Sequence, residues 1–145
     1  MYRHFPDDEA LFGACSSHWA AANPLPDLGS WEAIGDPDER LRTALGELYA
    51  FYGRTEQMME NLLRDEQTVA TVKRLFSAYH QYVAAAREIL LPGRPERGRR
   101  RDATRAAIGH ALAFATWQSL TREQGLERSR AADLVCAMVA GAARG

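Results

Sequence analysis

Cysteine and lysine are scarce in this sequence. Two of its 145 residues are cysteines, Cys15 and Cys136, and Lys73 is its single lysine. Neither cysteine has a CxxC partner, so we expect two buried, inert thiols in a reduced, cytoplasmic protein. The other basic side chains, apart from the histidines, are arginines. We attribute this bias to GC-rich codons, and the number of arginines therefore supports no functional argument.

Long hydrophobic runs and a strong net charge are also missing. The longest stretches of low polarity, 106–117 and 131–143, are too short to cross a bilayer of about 30 Å. The N-terminal residues turn acidic where a signal peptide would be apolar. A net charge of −1 gives no general attraction to nucleic acid. We therefore expect a single domain without a membrane partner.

Sequence motifs for catalysis and for metal binding are absent. The chain has no GxSxG motif, no glycine-rich phosphate loop and no local pairing of cysteine with histidine. Its four histidines show neither HExxH spacing nor a Glu-x-x-His pair. We expect the protein not to be an enzyme, and we expect no cofactor and no metal.

One segment does concentrate positive charge. Six arginines lie in or beside a loop predicted at 92–101, namely Arg94, Arg97, Arg99, Arg100, Arg101 and Arg105. Contact with phosphates or a lipid head group is one interpretation. A solvated loop between two helices is the favoured one, because no aromatic residues for base stacking lie among the arginines and the chain as a whole is not basic.

The hydrophobic pattern is typical of helices. No window alternates with period two for long, whereas several windows repeat with a period of 3.6 residues. We predict an all-α fold, a single bundle domain of about six helices. The predicted helices are 8–22, 37–52, 56–64, 68–90, 102–124 and 127–143.

Capping and breaking residues mark several helix ends. The run 36–39, Asp-Pro-Asp-Glu, combines an N-cap, a proline at the first helical position and a capping box. Gly53 is the expected end of that helix, and Thr55 is the expected cap of the next. Gly125 is expected to separate the last two helices. Trp31, in the connector before the capping box, is expected to pack against the core.

The last two predicted helices are apolar on every side. A helix of this kind must be buried on every side, and about six helices are too few to bury two of them completely. We therefore predict a symmetric homodimer in which these two helices from each copy form a four-helix bundle. The predicted interface consists of Ile108, Leu112, Ala115, Leu134, Val135, Met138 and Val139.

The chain resembles a known family. Tyr2-Arg3-His4-Phe5, followed by a capped helix, is similar to the junction in Tet-repressor-like (TetR/AcrR) regulators, where Tyr-x-His-Phe closes the DNA recognition helix. The resemblance covers nearly the whole chain. The later segments that resemble one branch of this family are Asp36-Pro-Asp-Glu-Arg-Leu, Leu48-Tyr-Ala-Phe-Tyr-Gly-Arg-Thr-Glu, Leu63-Arg-Asp, Ala111-Leu-Ala-Phe-Ala-Thr-Trp-Gln-Ser-Leu and Leu134-Val-Cys-Ala-Met-Val-Ala-Gly-Ala.

The resemblance implies an effector-binding and dimerisation domain at 7–145, after a remnant of the recognition helix at 1–6. Family members carry about three DNA-reading helices before the motif. This chain starts at the motif, so we expect it to need those helices before DNA becomes a partner. Tyr2 and His4 match family positions near the phosphate backbone. In the family, ligand binding is transmitted to the DNA-reading heads by the helix that matches 8–22.

The resemblance also implies a cavity for a small, mainly apolar effector, lined by large side chains on facing helices. The implied ligand-binding residues are Tyr49, Tyr52, Met58, Met59, Leu62, Phe76, Tyr79, His80, Val83, Phe114, Trp117 and Gln118. Filling of an ordinary core is the alternative for each of them. At the level of function, the expectation is the sensing and dimerisation part of a transcriptional regulator. The alternative is a stand-alone helical module that binds a ligand or a partner, for example by pairing with a full-length relative.

Overall fold

The structure, a computed structural model, describes residues 18–145. In that part of the chain the residues at 18–22 are helical and there is no strand. The all-α prediction is confirmed. The predictions for 1–6, Tyr2, His4, Cys15 and the start of the first helix lie outside the described residues. The further elements are α1 (Leu28–Glu32), α2 (Pro37–Asp65), α3 (Ala70–Leu90), α4 (Gly98–Leu112), α5 (Phe114–Gln118), a π-helical turn (Ser119–Glu123) and α6 (Arg128–Arg144).

Helix α2 begins at the predicted capping signal. The Asp36 carboxylate accepts the Glu39 N–H at 2.9 Å, and Pro37 occupies the first helical position. The helix then continues through Gly53, where we expected it to end. The predicted junction between two helices lies two residues later, at Thr55, where the backbone leaves the helical conformation.

A kink at Thr55 divides α2. Thr55 has φ −118° and ψ 17°, and its hydroxyl donates to the Phe51 carbonyl at 2.8 Å. The hydroxyl therefore bonds back along the helix and does not cap a new one, and contacts of this kind bend helices. Met59, one turn after the kink, is buried in the core.

Helix α1 lies inside the segment predicted as a connector. Trp31 in this helix is completely buried, and its Nε1 donates to Glu47 Oε1 at 3.0 Å. The indole also contacts the Tyr82 ring edge to face, with 6.3 Å between the ring centroids. The prediction that Trp31 packs against the core is confirmed.

Two buried arginines join the segments around the start of α2. Arg40 donates to the carbonyls of Ile34 at 2.8 Å, Gly35 at 3.2 Å, Ile89 at 3.4 Å and Pro92 at 2.8 Å. Its guanidinium thus ties the connector before α2 to the end of α3.

Arg94 is the second buried arginine. It donates to the Leu90 carbonyl at 3.2 Å, the Pro37 carbonyl at 3.0 Å and Asp38 Oδ1 at 3.3 Å. The expectation that it belongs to a solvated loop is wrong, because its guanidinium satisfies carbonyls of two chain segments inside the fold. The loop is also shorter than predicted, since α4 already begins at Gly98. The arginines of this segment that are exposed are Arg97, Arg99, Arg100 and Arg105.

The single helix predicted at 102–124 is interrupted. Ala113 has φ −70° and ψ 138°, an extended conformation that ends α4 and precedes the short α5. A π-helical turn follows α5 directly. Gly125 then adopts φ +76°, which confirms the predicted left-handed end before α6.

The core forms where α2 packs against α3, α4, α5 and α6. Four residues of the predicted dimer interface belong to this core: Ile108, Leu112, Val135 and Val139. They are at most 1% exposed, so they are not available to a second copy. Helices α4 and α6 bury more apolar surface against each other and against α2 than the sequence indicated.

Three residues of the predicted interface are exposed, namely Ala115, Leu134 and Met138. Cys136 is half-buried on α6, and burial raises the pKa of its thiol. Within residues 18–145, no helix combines the length and the apolar character needed to cross a membrane.

Candidate ligand pocket

An apolar pocket of about 200 Å³ lies between α2, α3 and the segment at 19–25. None of its lining residues in the described part of the chain is charged. A charged ligand would lose its hydration without gaining a partner there, so the pocket suits a neutral molecule. Its lining residues are Trp19, Ala20, Asn23, Leu25, Phe51, Met59, Leu62, Val72, Leu75, Phe76, Ala78 and Tyr79.

The volume of the pocket limits the size of its ligand. An engineered cavity of about 150 Å³ admits benzene, whereas pockets for drug-sized ligands measure about 300–1,000 Å³. A pocket of about 200 Å³ therefore matches a molecule with a single ring or a short branched alkyl group. This volume is smaller than that of a cavity lined by all twelve ligand-binding residues predicted from the sequence.

Local helix geometry builds the walls of the pocket. Phe76 and Tyr79 lie three residues apart on α3, and their rings stack with centroids 4.8 Å apart and an interplanar angle of 9°. The opposite wall contains Met59, which follows the kink of α2. At the third wall, the Trp19 carbonyl accepts both the backbone N–H of Asn23 at 2.9 Å and its Nδ2 at 3.0 Å, at the end of the helical turn at 18–22.

Four of the predicted ligand-binding residues line the pocket: Met59, Leu62, Phe76 and Tyr79. The pocket is also lined by Trp19, Leu25, Val72 and Leu75, which were not predicted from the sequence. A signal for Val72 was present, because it lies on the same helical stripe as Phe76 and Tyr79. No comparable signal could place Trp19 and Leu25, which reach the pocket only through tertiary packing.

The other predicted residues lie elsewhere. Tyr49, Tyr52, Phe114 and Trp117 are buried in the core and are not among the pocket's lining residues. Met58 and Val83 are half-buried on α2 and α3. His80 is exposed, and its Nε2 lies 2.9 Å from Glu66 Oε1. Gln118 hydrogen-bonds the carboxylate of Glu60.

The buried tyrosines hydrogen-bond the backbone at the break after α4. Tyr49 donates to the Ala111 carbonyl at 2.7 Å, and Tyr52 donates to the Leu112 carbonyl at 2.6 Å. These carbonyls lack helical partners because α4 ends there. The tyrosines therefore act as caps of α4.

Tyr79 extends this cluster to the pocket wall. Its hydroxyl lies 2.6 Å from that of Tyr52. Because the Tyr52 proton is already committed to Leu112, Tyr79 is the donor to Tyr52. A directional chain thus runs from Tyr79 through Tyr52 to the Leu112 carbonyl.

Burial keeps these hydroxyls protonated. It raises the pKa of Tyr49, Tyr52 and Tyr79 above the ordinary tyrosine value, because a buried phenolate would lose its hydration. The hydroxyls therefore remain hydrogen-bond donors at neutral pH.

Charged residues close the surface next to this cluster. Arg122 in the π-helical turn donates to both carboxylate oxygens of Glu56, with Nε–Oε1 3.0 Å and Nη2–Oε1 2.8 Å. Its guanidinium lies 5.2 Å from the centroid of the Trp117 ring. The π-helical turn is thereby fixed to α2 just beyond the kink.

The pocket can bind a neutral apolar molecule, and the polar groups beside it mainly hydrogen-bond the backbone. Across residues 18–145, no group of three or more histidine, cysteine, aspartate or glutamate side chains is placed to hold a metal ion. Comparisons with models of protein families, with curated proteins and with solved structures found no match.

Proposed function

We propose that this chain is the small-molecule-sensing and dimerisation part of a Tet-repressor-like cytoplasmic regulator. The proposal combines the sequence resemblance with the all-α fold. The observation that carries it is the apolar pocket between α2, α3 and the segment at 19–25, whose lining is uncharged. A pocket of this kind fits sensing by reversible binding and needs no catalytic group.

The proposed ligand is neutral, apolar and of single-ring size. Stacked Phe76 and Tyr79 offer it an aromatic wall, and Met59 offers a polarizable one that adapts to its shape. Such a ligand gains free energy chiefly from leaving water, at roughly 25 cal/mol per Å² of apolar surface.

Toluene is a suitable first probe of the pocket. We expect saturating toluene to raise the thermal midpoint of unfolding, because a ligand that binds only the folded state stabilises it by mass action. Ala78→Phe adds a ring at the lining of the pocket and should abolish the toluene effect. Ala84→Phe, on the same helix but outside the lining, is the matched control and should leave the effect unchanged.

Two results would contradict the proposed ligand pocket. One is a thermal midpoint that does not respond to toluene or to other neutral single-ring compounds. The other is an equal response in the Ala78→Phe and Ala84→Phe variants, since binding would then occur away from this pocket.

A further inference from the structure

The break at Ala113 has no proline or glycine in the adjacent residues to cause it. Sharp helix breaks normally coincide with proline, with glycine or serine, or with an inserted side chain. The stretch from Leu112 to Ala115 contains neither proline nor glycine, and alanine has the highest helix propensity. The local sequence thus favours a continuous helix, whereas the structure has an extended residue. Such a conflict between local preference and tertiary structure is typical of functional elements.

Hydrogen bonds from outside the helix replace those lost at the break. The carbonyls of Ala111 and Leu112 accept from Tyr49 and Tyr52, as described above. The carbonyl of His110 accepts from the Thr116 hydroxyl at 2.6 Å and from the Ala113 N–H at 3.2 Å. In a continuous helix the same three carbonyls would accept backbone N–H groups four residues onward. The broken and continuous forms therefore contain similar numbers of hydrogen bonds. A modest interaction elsewhere can decide which form is more stable.

Tyr79 is the residue shared by the pocket and the break. Its ring lines the pocket, while its hydroxyl donates to Tyr52, whose own hydroxyl donates to the Leu112 carbonyl at the break. We infer that occupancy of the pocket is transmitted to the helix break at Ala113 through Tyr79. The inference rests on the proposed function and adds the structural change that accompanies ligand binding.

The sign of the coupling follows from the geometry. The pocket is open while the Tyr79 hydroxyl bonds that of Tyr52, so a ligand that fills the pocket holds the ring where it now lies. The ligand therefore favours the broken helix over the continuous one by the difference in its affinity for the two forms.

The break also shapes an exposed surface. Ala113, Ala115 and Thr116 line a shallow groove together with Met138 of α6. Straightening of the helix would move Ala113, Ala115 and Thr116 relative to Met138. Ligand in the pocket thus sets the form of this groove, and anything that binds the groove in turn changes the affinity of the pocket.

Hydrogen exchange of the full chain tests the coupling. In the absence of ligand, Tyr79→Phe should lower the exchange rate of the amides of Phe114, Ala115 and Thr116 by about tenfold or more, because the continuous helix that it favours gives these N–H groups carbonyl partners four residues back. Tyr52→Phe, which removes the next hydroxyl of the chain, should act in the same direction. Tyr82→Phe is the matched control, because the Tyr82 hydroxyl donates to the distant Pro26 carbonyl at 2.6 Å. It should leave these amides unchanged.

The second arm adds saturating toluene. Toluene should speed exchange of the same amides in the unsubstituted chain, because it favours the broken helix, and should change it much less in Tyr79→Phe. Unchanged exchange in both the Tyr79→Phe and Tyr52→Phe variants would overturn the inference whatever the ligand does. A rise in thermal midpoint with toluene, without faster exchange near Phe114, would overturn the coupling and leave the pocket in place. A thermal midpoint that toluene does not change would instead overturn the proposed pocket and its coupling to the break.

Discussion

At the scale of single residues, the buried arginines show how one side chain joins distant segments. Arg40 serves four carbonyls from the chain before α2 and the chain at the end of α3. Burial of a charge is costly unless its donors are satisfied, and here every contact of the guanidinium is to a carbonyl that also needs a partner. The planar fork of five donors makes this possible, whereas an ammonium group presents only three.

Substitution of this arginine by lysine is therefore expected to destabilise the fold. Arg40→Lys leaves at least one buried carbonyl without a donor, which should lower the free energy of unfolding by about 2 kcal/mol. Arg42→Lys, at an exposed position of the same helix, is the control and should change it by less than about 0.5 kcal/mol. Denaturant titration of both variants measures the difference. Equal stability of the two would show that the contacts of Arg40 contribute nothing net.

The tyrosines illustrate why residue types alone did not identify the site. Tyr49 and Tyr52 were expected to anchor a ligand, and in the structure their hydroxyls cap carbonyls of α4. Those carbonyls lack helical partners only because the helix is interrupted after Leu112. The sequence gives no indication of that interruption, so it could not assign the hydroxyls to the backbone.

At the scale of the elements, glycine has opposite roles at two positions. Gly125 lies between the π-helical turn and α6 with φ +76°, a left-handed conformation that side chains disfavour. Gly46 lies inside α2, is exposed, and has open space where a Cβ would be placed. The first glycine is required by the turn, while the second only gives the unfolded chain extra freedom.

The same substitution should therefore have opposite effects at these positions. Gly125→Ala is expected to lower the free energy of unfolding by about 1–2 kcal/mol through strain in the left-handed residue. Gly46→Ala is expected to raise it by about 0.5–1 kcal/mol through helix propensity and a less flexible unfolded chain. Thermal or denaturant unfolding of both variants measures the two signs. A stabilising Gly125→Ala would mean that the turn between the helices relaxes freely.

At the scale of the whole molecule, the exposed apolar face of α6 is the surface proposed for dimerisation. Leu134 and Met138 lie four residues apart on this helix and are 41% and 48% exposed. Met138 borders the groove that Ala113 and Ala115 line. Because large apolar side chains cluster here, a second copy could cover the face with a self-complementary contact.

A charge on this face should separate the proposed dimer. We expect Leu134→Glu and Met138→Glu to shift the mass measured by light scattering from two chains to one, because each would bury an unpaired carboxylate in the contact. Val69→Glu is the control, since Val69 is equally exposed, at 44%, but precedes α3. A single-chain mass for the unsubstituted protein at micromolar concentration would contradict the proposed dimer.

Elements whose causes are local follow directly from the amino-acid sequence. The cap at Asp36, the proline at the first position of α2 and the turn at Gly125 act over a few residues, and each lies where it was predicted. Period-3.6 hydrophobicity likewise determined the all-α class. The burial of Trp31 also followed, because a large indole in a helical chain has few alternatives to the core.

The break in α4 and the set of side chains that line the pocket depend on tertiary packing. Packing interrupts the alanine-rich helix at Ala113, where the local sequence favours continuation. The hydrogen bonds that support the break join residues separated by 62 and 60 positions, as in Tyr49 with Ala111. Helix propensity near Ala113 is worth at most about 1 kcal/mol per residue, so a few buried hydrogen bonds from distant tyrosines are enough to override it.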